Sequence, residues 1–441
     1  MPQDTLNIVG KAKALNSYDA IVIGSGISGG WAAKELCEKG LKTLVLERGR
    51  NVEHVKDYPT ATLNPWEFKH AREVSEDMRR RQHIQVRGFC NEANTHFFVD
   101  DLEHPYVQEK PFDWIRGYHV GGRSLMWGRQ CYRWSDIDFE ANARDGHGVD
   151  WPIRYRDIAP WYSYVERFAG ISGSKEGLPQ LPDGEFLPPM EMNCLEQHTA
   201  AAIKSRFPER RMIIGRVANV TKGWNGRGPC QFRNQCDRGC PFGGYFSSNS
   251  ATLPIAMATG NLTLRPDSIV SEIIYDKATR KARGVRIIDA HTMQPEEFFA
   301  KIVFVNAGSI ASTAILLNSI SDAFPNGMGN ASGELGHNLM DHHYHVGISG
   351  RYEGFEDRYT YGRRANGIYI PRFRNFGTDK SDKFIRGYGY QGGENATVWE
   401  HAYAMKGFGK DFKDEVRDGN ISRASLMGFG EMLPRWENQV T

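Results

Sequence analysis

The stretch from residue 18 to 49, YDAIVIGSGISGGWAAKELCEKGLKTLVLERG, limits what this chain can fold into more than any other. Residues 19–23 are an apolar run of strand length that ends in Gly24-Ser25-Gly26-Ile27-Ser28-Gly29, a G-x-G-x-x-G. Gly29, Ala32, Ala33, Leu36 and Cys37 then recur at three- and four-residue spacing. That pattern predicts a helix with Lys39 in its last turn and Gly40 as its stop. Residues 43–46 read as a second strand, closed by Glu47 eighteen residues after Gly29. The three glycines have separate roles. Gly24 makes the tight turn, Gly26 lets the backbone approach a pyrophosphate, and Gly29 lets helix and strand pack closely. The phosphates sit on free N–H groups of the first helical turn, which carries Ser28. Glu47, followed by Arg48, stands where a carboxylate takes ribose hydroxyls. A strand before the glycines, a helix after them and an acid closing the next strand together distinguish a dinucleotide site from a bare glycine-rich turn.

Composition narrows the class. A 441-residue chain is long for one simple domain and suits two closely connected ones. The net charge of +2, from 55 basic and 53 acidic residues, gives no footprint for nucleic acid or an anionic membrane. The opening residues lack the basic start and apolar core of a signal peptide, so the sequence reads as cytoplasmic, or periplasmic only if exported with a partner subunit. No window reaches a transmembrane length; the nearest, residues 302–317, is broken by Asn306, Ser309 and Ser312. An odd count of seven cysteines argues against a disulfide framework.

Beyond the first unit, residues 1–17 read as a polar arm and residues 51–109 as loops and short helices, with Arg79, Arg80 and Arg81 on a solvated helix face. Residues 114–128 restore order, with Gly121, Gly122, Ser124, Met126 and Trp127 in a loop whose backbone can press against a flat ring or a phosphate. After Trp151-Pro152, the residues Ile158, Trp161, Tyr164 and Val165 predict an amphipathic helix with its aromatics in the core. Cys230, Cys236 and Cys240 follow as C-x5-C-x3-C; converging thiolates suit iron or zinc, or the three can be structural cysteines. Residues 261–268, 270–275 and 284–288 read as strands, with a hairpin turn over 277–280, and residues 301–305 as a buried strand before Ala307-Gly308 and a helix. Of His342, His343 and His345, a metal site and a structural role are both open.

Taken together, these motifs resemble the glucose–methanol–choline (GMC) oxidoreductases, FAD enzymes that oxidise alcohols, and the likeness runs from Asp19 to the end of the chain. The resemblance implies an α/β fold: a Rossmann-like FAD-binding domain with an interleaved α+β substrate domain on a mainly antiparallel sheet. Its segments would be 1–150 and 256–345 for FAD, 151–255 for a cap carrying the cysteine loop, and 346–441 for the substrate sheet. It also implies flavin contacts at Gly121, Gly122, Ser124 and Trp127, adenine contact at the backbone of Val270, and a second cofactor turn at Ala307 and Gly308. Met126 stands where some members carry a flavin-linking histidine, so a non-covalent flavin is expected.

The cysteine loop resembles that of the bacterial sugar-dehydrogenase branch, whose catalytic subunit carries a three-iron cluster. By that likeness Cys230, Cys236 and Cys240 would hold an iron–sulfur cluster. The expected enzyme is then a dehydrogenase of sugars, glycosides or polyols with a companion subunit or cytochrome as electron acceptor. A peroxide-forming oxidase and a flavin-binding fragment without turnover are the alternatives; a nicotinamide enzyme fits Glu47-Arg48-Gly49 and Gly121-Gly122 less well. The family's catalytic histidine lies in a segment that nothing after residue 434 resembles. The chain alone is therefore expected to turn over little substrate, and no catalytic residue is assigned.

Overall fold

The computed structural model of the protein describes residues 16–441 apart from 356, 359–366, 397–401, 403, 404 and 419–421, and without the side chains of 344, 345 and 396. The polar arm before residue 16 and the His345 side chain lie outside the described residues.

Strands β1 (Ser17–Ile23) and β2 (Thr43–Leu46) flank helix α1 (Ile27–Glu38), so residues 17–46 close one βαβ unit. Further elements in chain order are α2 (Tyr155–Ala169), α3 (Cys194–Arg206), β3 (Ile213–Ile214), β4 (Leu262–Arg265), β5 (Ser268–Asp276), β6 (Lys281–Asp289), β7 (Pro295–Val305), α4 (Ser309–Asn318), β8 (His343–Tyr352), β9 (Ile368–Ile370), β10 (Gly389–Ala396) and β11 (Ser422–Gly430). One six-stranded sheet runs β4-β2-β1-β7-β6-β5. Its first four strands are parallel, with Val22 opposite both Val45 and Phe304, and β6 and β5 return antiparallel.

All four residues of β2 are buried, as a parallel strand covered on both faces requires. Alternation sorts the side chains. Ile21, Ile23, Leu44 and Leu46 point into a core with Val285, Ile287 and Ile315, while Ala20, Val22 and Val45 point under Ala33, Leu36 and Cys37 of α1. On that second face α1 covers β1 and β2, and Ile302 and Phe304 of β7 stand exposed.

The second sheet is five-stranded and antiparallel, in the order β3-β9-β10-β11-β8. Ile368, Ile370, Tyr390 and Leu426 on one face pack against Ala200 and Ile203 of α3. The opposite face carries Tyr369, whose ring stacks on Tyr132 at 4.0 Å and so docks the chain leaving residues 121–128 onto this sheet. These two sheets are the expected fold class.

Three local expectations need correction. Residues 301–305 form a strand but not a buried one, since Ile302 and Phe304 are exposed. The strand break near residue 269 falls instead at Pro266 and Asp267, because proline lacks an N–H and Asp267 takes φ +53°, so β5 starts at Ser268 and runs on. Trp151 and Trp161 are 40% and 64% exposed, not core: α2 turns Tyr164 and Phe168 toward Lys34 and Trp31 of α1 and leaves Trp161 outside. Among the described residues no helix is long and apolar enough to cross a membrane.

Candidate functional site

The glycines of the β1–α1 turn behave as the motif requires, each for a different reason. Gly24 has φ +93°, and a Cβ there would sit 2.6 Å from the Asn306 carbonyl oxygen. On Gly29 a Cβ would lie 1.9 Å from the Gly24 carbonyl, so helix and turn touch backbone to backbone. Around Gly26 a Cβ would meet nothing within 4 Å. That room is free of protein.

Glu47 is buried at the end of β2. Its Oε2 accepts the Ser25 backbone N–H at 3.1 Å and the Ser25 hydroxyl at 2.5 Å, and its Oε1 accepts the Gly49 N–H at 3.1 Å. Burial pushes the carboxyl above the ordinary range, and these three donors oppose that shift by favouring the anion. Ser25 Oγ in turn accepts the Gly121 N–H at 2.9 Å. The first glycine turn, the acid and the second glycine loop are thus joined by one short hydrogen-bonded chain. Nothing in the sequence singles out Ser25; its position as the x of G-x-G carries no side-chain signal.

The second loop is shaped from below. Gly121 has φ +89°, and a Cβ there would fall 1.7 Å from Asn249 Oδ1. The Asn249 amide donates to the carbonyls of Val52 (2.8 Å) and Val120 (3.1 Å). Ser124 is fully buried: its hydroxyl donates to the Gly121 carbonyl at 2.6 Å and accepts the Ser248 N–H at 2.9 Å. Its role is therefore to set the loop, with both bonds made inside the protein. Ser248 donates its hydroxyl to the Gly26 carbonyl at 2.9 Å, which ties the helical turn Ser248–Thr252 to the first glycine turn. Sequence reasoning also misses Ser248 and Asn249, because their partners lie far away along the chain.

Gly122 faces the same opening as Gly26, whose Cα is the nearest atom, 3.5 Å from where a Gly122 Cβ would sit. Gly308, at the β7–α4 turn, likewise has nothing within 4 Å, and Ala307 lies against Gly24. Gly26 and Gly308 are the N-caps of α1 and α4, and neither helix start has a side-chain cap. Two uncapped helix N-termini with glycine backbones beside them offer N–H donors to an anion. Asn306 Oδ1, buried between them in sequence and space, has no hydrogen-bond partner.

Other expected positions sit around this opening. Ser28 is exposed in the first turn of α1, and Arg48 lies 4.2 Å over the Tyr118 ring. Gly49 permits close passage: a Cβ there would be 1.9 Å from the Tyr118 carbonyl. The Ser268 N–H donates to the Glu47 carbonyl at 2.8 Å, which brings the start of β5 beside the acid. Val270 turns its side chain into the core, leaving backbone only. Met126 packs on the cluster around Phe97 and Leu125, and Trp127 gives its indole N–H to the Phe246 carbonyl at 2.9 Å. His119 is buried with Nδ1 3.0 Å from the Val120 carbonyl; burial lowers its pKa to about 4, so it is a neutral structural donor.

Residues 18–344 match the sequence model of the GMC oxidoreductases. The chain belongs to that family. It is 28% identical to a 2-methyl-1,2-propanediol dehydrogenase of Mycolicibacterium austroafricanum, over 96% of this chain and 73% of that protein. Identity is 23% to the large subunit of a fructose dehydrogenase of Gluconobacter japonicus, over 96% and 76%. Among solved structures, pyridoxine 4-oxidase from Mesorbium loti superposes with a TM-score of 0.53 at 15% identity, covering 93% of this chain and 71% of that one, which shows a shared fold. Family membership makes this chain an FAD-dependent oxidoreductase of alcohol or sugar hydroxyls. The open glycines, the uncapped helix starts and Glu47 fit the pyrophosphate and ribose of FAD.

The cysteine loop gives a different result. Cys230, Cys236 and Cys240 line one cavity of about 30 Å³, room for about two waters. Burial raises the Cys230 and Cys236 thiols, the latter to about 11, so both are protonated at neutral pH despite Arg129 nearby. Two sulfurs already accept N–H groups, from Phe232 at 3.5 Å and Gly244 at 3.2 Å. Among the described residues no group of three histidine, cysteine or acidic side chains is arranged to hold a metal. The loop gathers the thiols but does not present them as a ligand set for a cluster. His342 and His343 are exposed, and His337 stacks on Trp436 at 3.5 Å, so these histidines form no cluster either.

Proposed function

We propose that this enzyme oxidises a CH–OH group of a sugar, glycoside or polyol and passes the electrons to an acceptor other than oxygen. The observation that carries the flavin half is the Gly121–Ser25–Glu47 hydrogen-bond chain beside the open glycines Gly26, Gly122 and Gly308. FAD would be held at these glycines and would supply the hydride acceptor for the substrate carbon. The protein's part is to hold that cofactor on two helix N-termini, to fix its ribose at Glu47, and to set residues 121–128 against it. Tyr132 stacked on Tyr369 then holds the substrate sheet in register with that loop. Support for a dehydrogenase comes from the names of the first two relatives, and the word subunit in the second favours a companion protein as acceptor.

One observation favours the oxidase reading. The cysteine loop is the sequence reason for an electron route away from oxygen, and its thiols are not assembled for a cluster. One experiment decides. The flavin-loaded chain is reduced anaerobically by a panel of aldoses, glycosides and polyols, then reoxidised with air or with a quinone. Slow bleaching by a polyol or sugar, with much faster reoxidation by quinone than by air, is the expected result. Peroxide formed at the rate of bleaching would make it an oxidase. Because Met126 offers no linking nitrogen, acid precipitation should leave the flavin in the supernatant.

A further inference from the structure

A cavity of about 370 Å³ lies on the α3 face of the five-stranded sheet, between α3 and β3. Met212 and Ala200 of its lining pack with Ile368 on the face opposite Tyr369, and Ile213 and Ile214 place the cavity at the β3 edge of the sheet. Its inner wall is built from Met190, Met192 and Met212, three unbranched thioether side chains that adapt to an aliphatic ligand. Lys204, Arg210 and Arg211 stand along the cavity as well. The Arg210 guanidinium lies 4.1 Å from the Phe207 ring and 4.2 Å from the Phe373 ring, with its carboxylate neighbour Glu209 at 3.6 Å. Among the described residues neither Lys204 nor Arg211 has a carboxylate within ion-pair distance. The one acid on the wall, Glu176, accepts the Ser174 hydroxyl at 2.5 Å and lies in the field of Arg216.

An apolar floor under Lys204 and Arg211, with Arg210 shared by Glu209 beside them, selects a ligand that is apolar at one end and anionic at the other. A neutral sugar satisfies neither half. We propose that this cavity binds a small amphipathic carboxylate, its alkyl chain on the three methionines and its head group on Arg210, Arg211 and Lys204. A preorganised guanidinium plane gives a carboxylate two parallel N–H donors, and the two neighbouring cations add charge. The volume, within the usual range of small-ligand pockets, admits a chain of about ten carbons with its carboxylate. Met190 and Met192 share a packed cluster with Cys230, so occupancy is felt one layer from the cysteine loop. This proposal does not rest on the oxidoreductase reading.

The test titrates decanoate, below its micellar concentration, into the FAD-loaded full chain by calorimetry, with decanol and decyltrimethylammonium as controls. Methionine methyl resonances report the site independently. Saturable one-to-one binding of decanoate, at least tenfold tighter than either control, with shifts at Met190, Met192 and Met212, is expected. The double variant K204E/R211E should weaken decanoate at least tenfold, and A201W, which fills the cavity from α3, should abolish it. Both should retain their flavin. No heat and no methyl shift with decanoate overturns the proposal. So does equal binding of decanol, or decanoate affinity unchanged in K204E/R211E.

Discussion

Glu394 shows how one residue sets a pH dependence. It is fully buried on β10 against α3, where Oε2 accepts the Thr199 hydroxyl at 3.0 Å and Oε1 has no partner. Burial raises its pKa from 4.5 to about 7; bonds from Tyr352 and Thr199 oppose the rise, and the buried Glu196 adds to it. The folded carboxyl therefore holds a proton that the unfolded chain has released between pH 4.5 and 7. Stability from this group is fully present below pH 4.5 and lost as pH rises through 7. Glu394→Gln, neutral at every pH, should flatten that slope and stabilise the protein by about 2 kcal/mol at pH 8. Denaturant midpoints from pH 5 to 8 are the check, and parallel slopes in the two proteins would refute the assignment.

At the scale of an element, the β1–α1 turn separates fold from ligand binding within three residues. Gly26 has φ −63° and open space around its Cβ position, so Gly26→Ala strains nothing in the protein. Its cofactor-free stability should stay within about 0.5 kcal/mol of the parent. Gly29→Ala drives a methyl onto the Gly24 carbonyl at 1.9 Å and should cost about 3 kcal/mol or more, as overpacking of backbone on backbone does. Both should lose FAD, Gly26→Ala by at least tenfold in affinity. Thermal melts of the apo proteins with a flavin titration distinguish the two. Normal FAD affinity in Gly26→Ala would remove Gly26 from the site.

Over the whole molecule, the five-stranded sheet is fastened to the chain around residues 136–145 by two arginines. Arg386 donates to Asp145 at 2.7 Å and Asn142 at 2.8 Å and also pairs with Glu431, while Arg372 reaches Asp138 at 2.9 Å. Removing Arg386 leaves the mostly buried Asp145 facing only Arg144, at 3.3 Å. Arg386→Ala should cost about 2–4 kcal/mol, the usual penalty for stranding one partner of a buried pair. The variant should also loosen the five-stranded sheet before the six-stranded one. Amide exchange resolves this: faster exchange in β9–β11 with β1 and β2 unchanged is expected, and uniform acceleration would argue that the two sheets unfold as one unit.

The chain's own order of residues determined the βαβ unit, the backbone demands at Gly24 and Gly29 and the position of Glu47, while the class of the second sheet came from the family resemblance. Those are local demands: a φ that only glycine tolerates, an apolar alternation, a cap, each written within a few residues. What joins them was not legible, because it is made across long separations. Ser25 meets Gly121 over 96 positions, Ser248 meets Gly26 over 222, and Arg386 meets Asp145 over 241. The cysteine loop marks the same boundary from the other side: spacing brought three thiols to one cavity. Packing decides the rest: among the described residues the three thiols share a small cavity but are not arranged as a metal-holding group. Sequence names the residue types that can do the chemistry; burial and the partners that folding supplies decide whether they are free to do it.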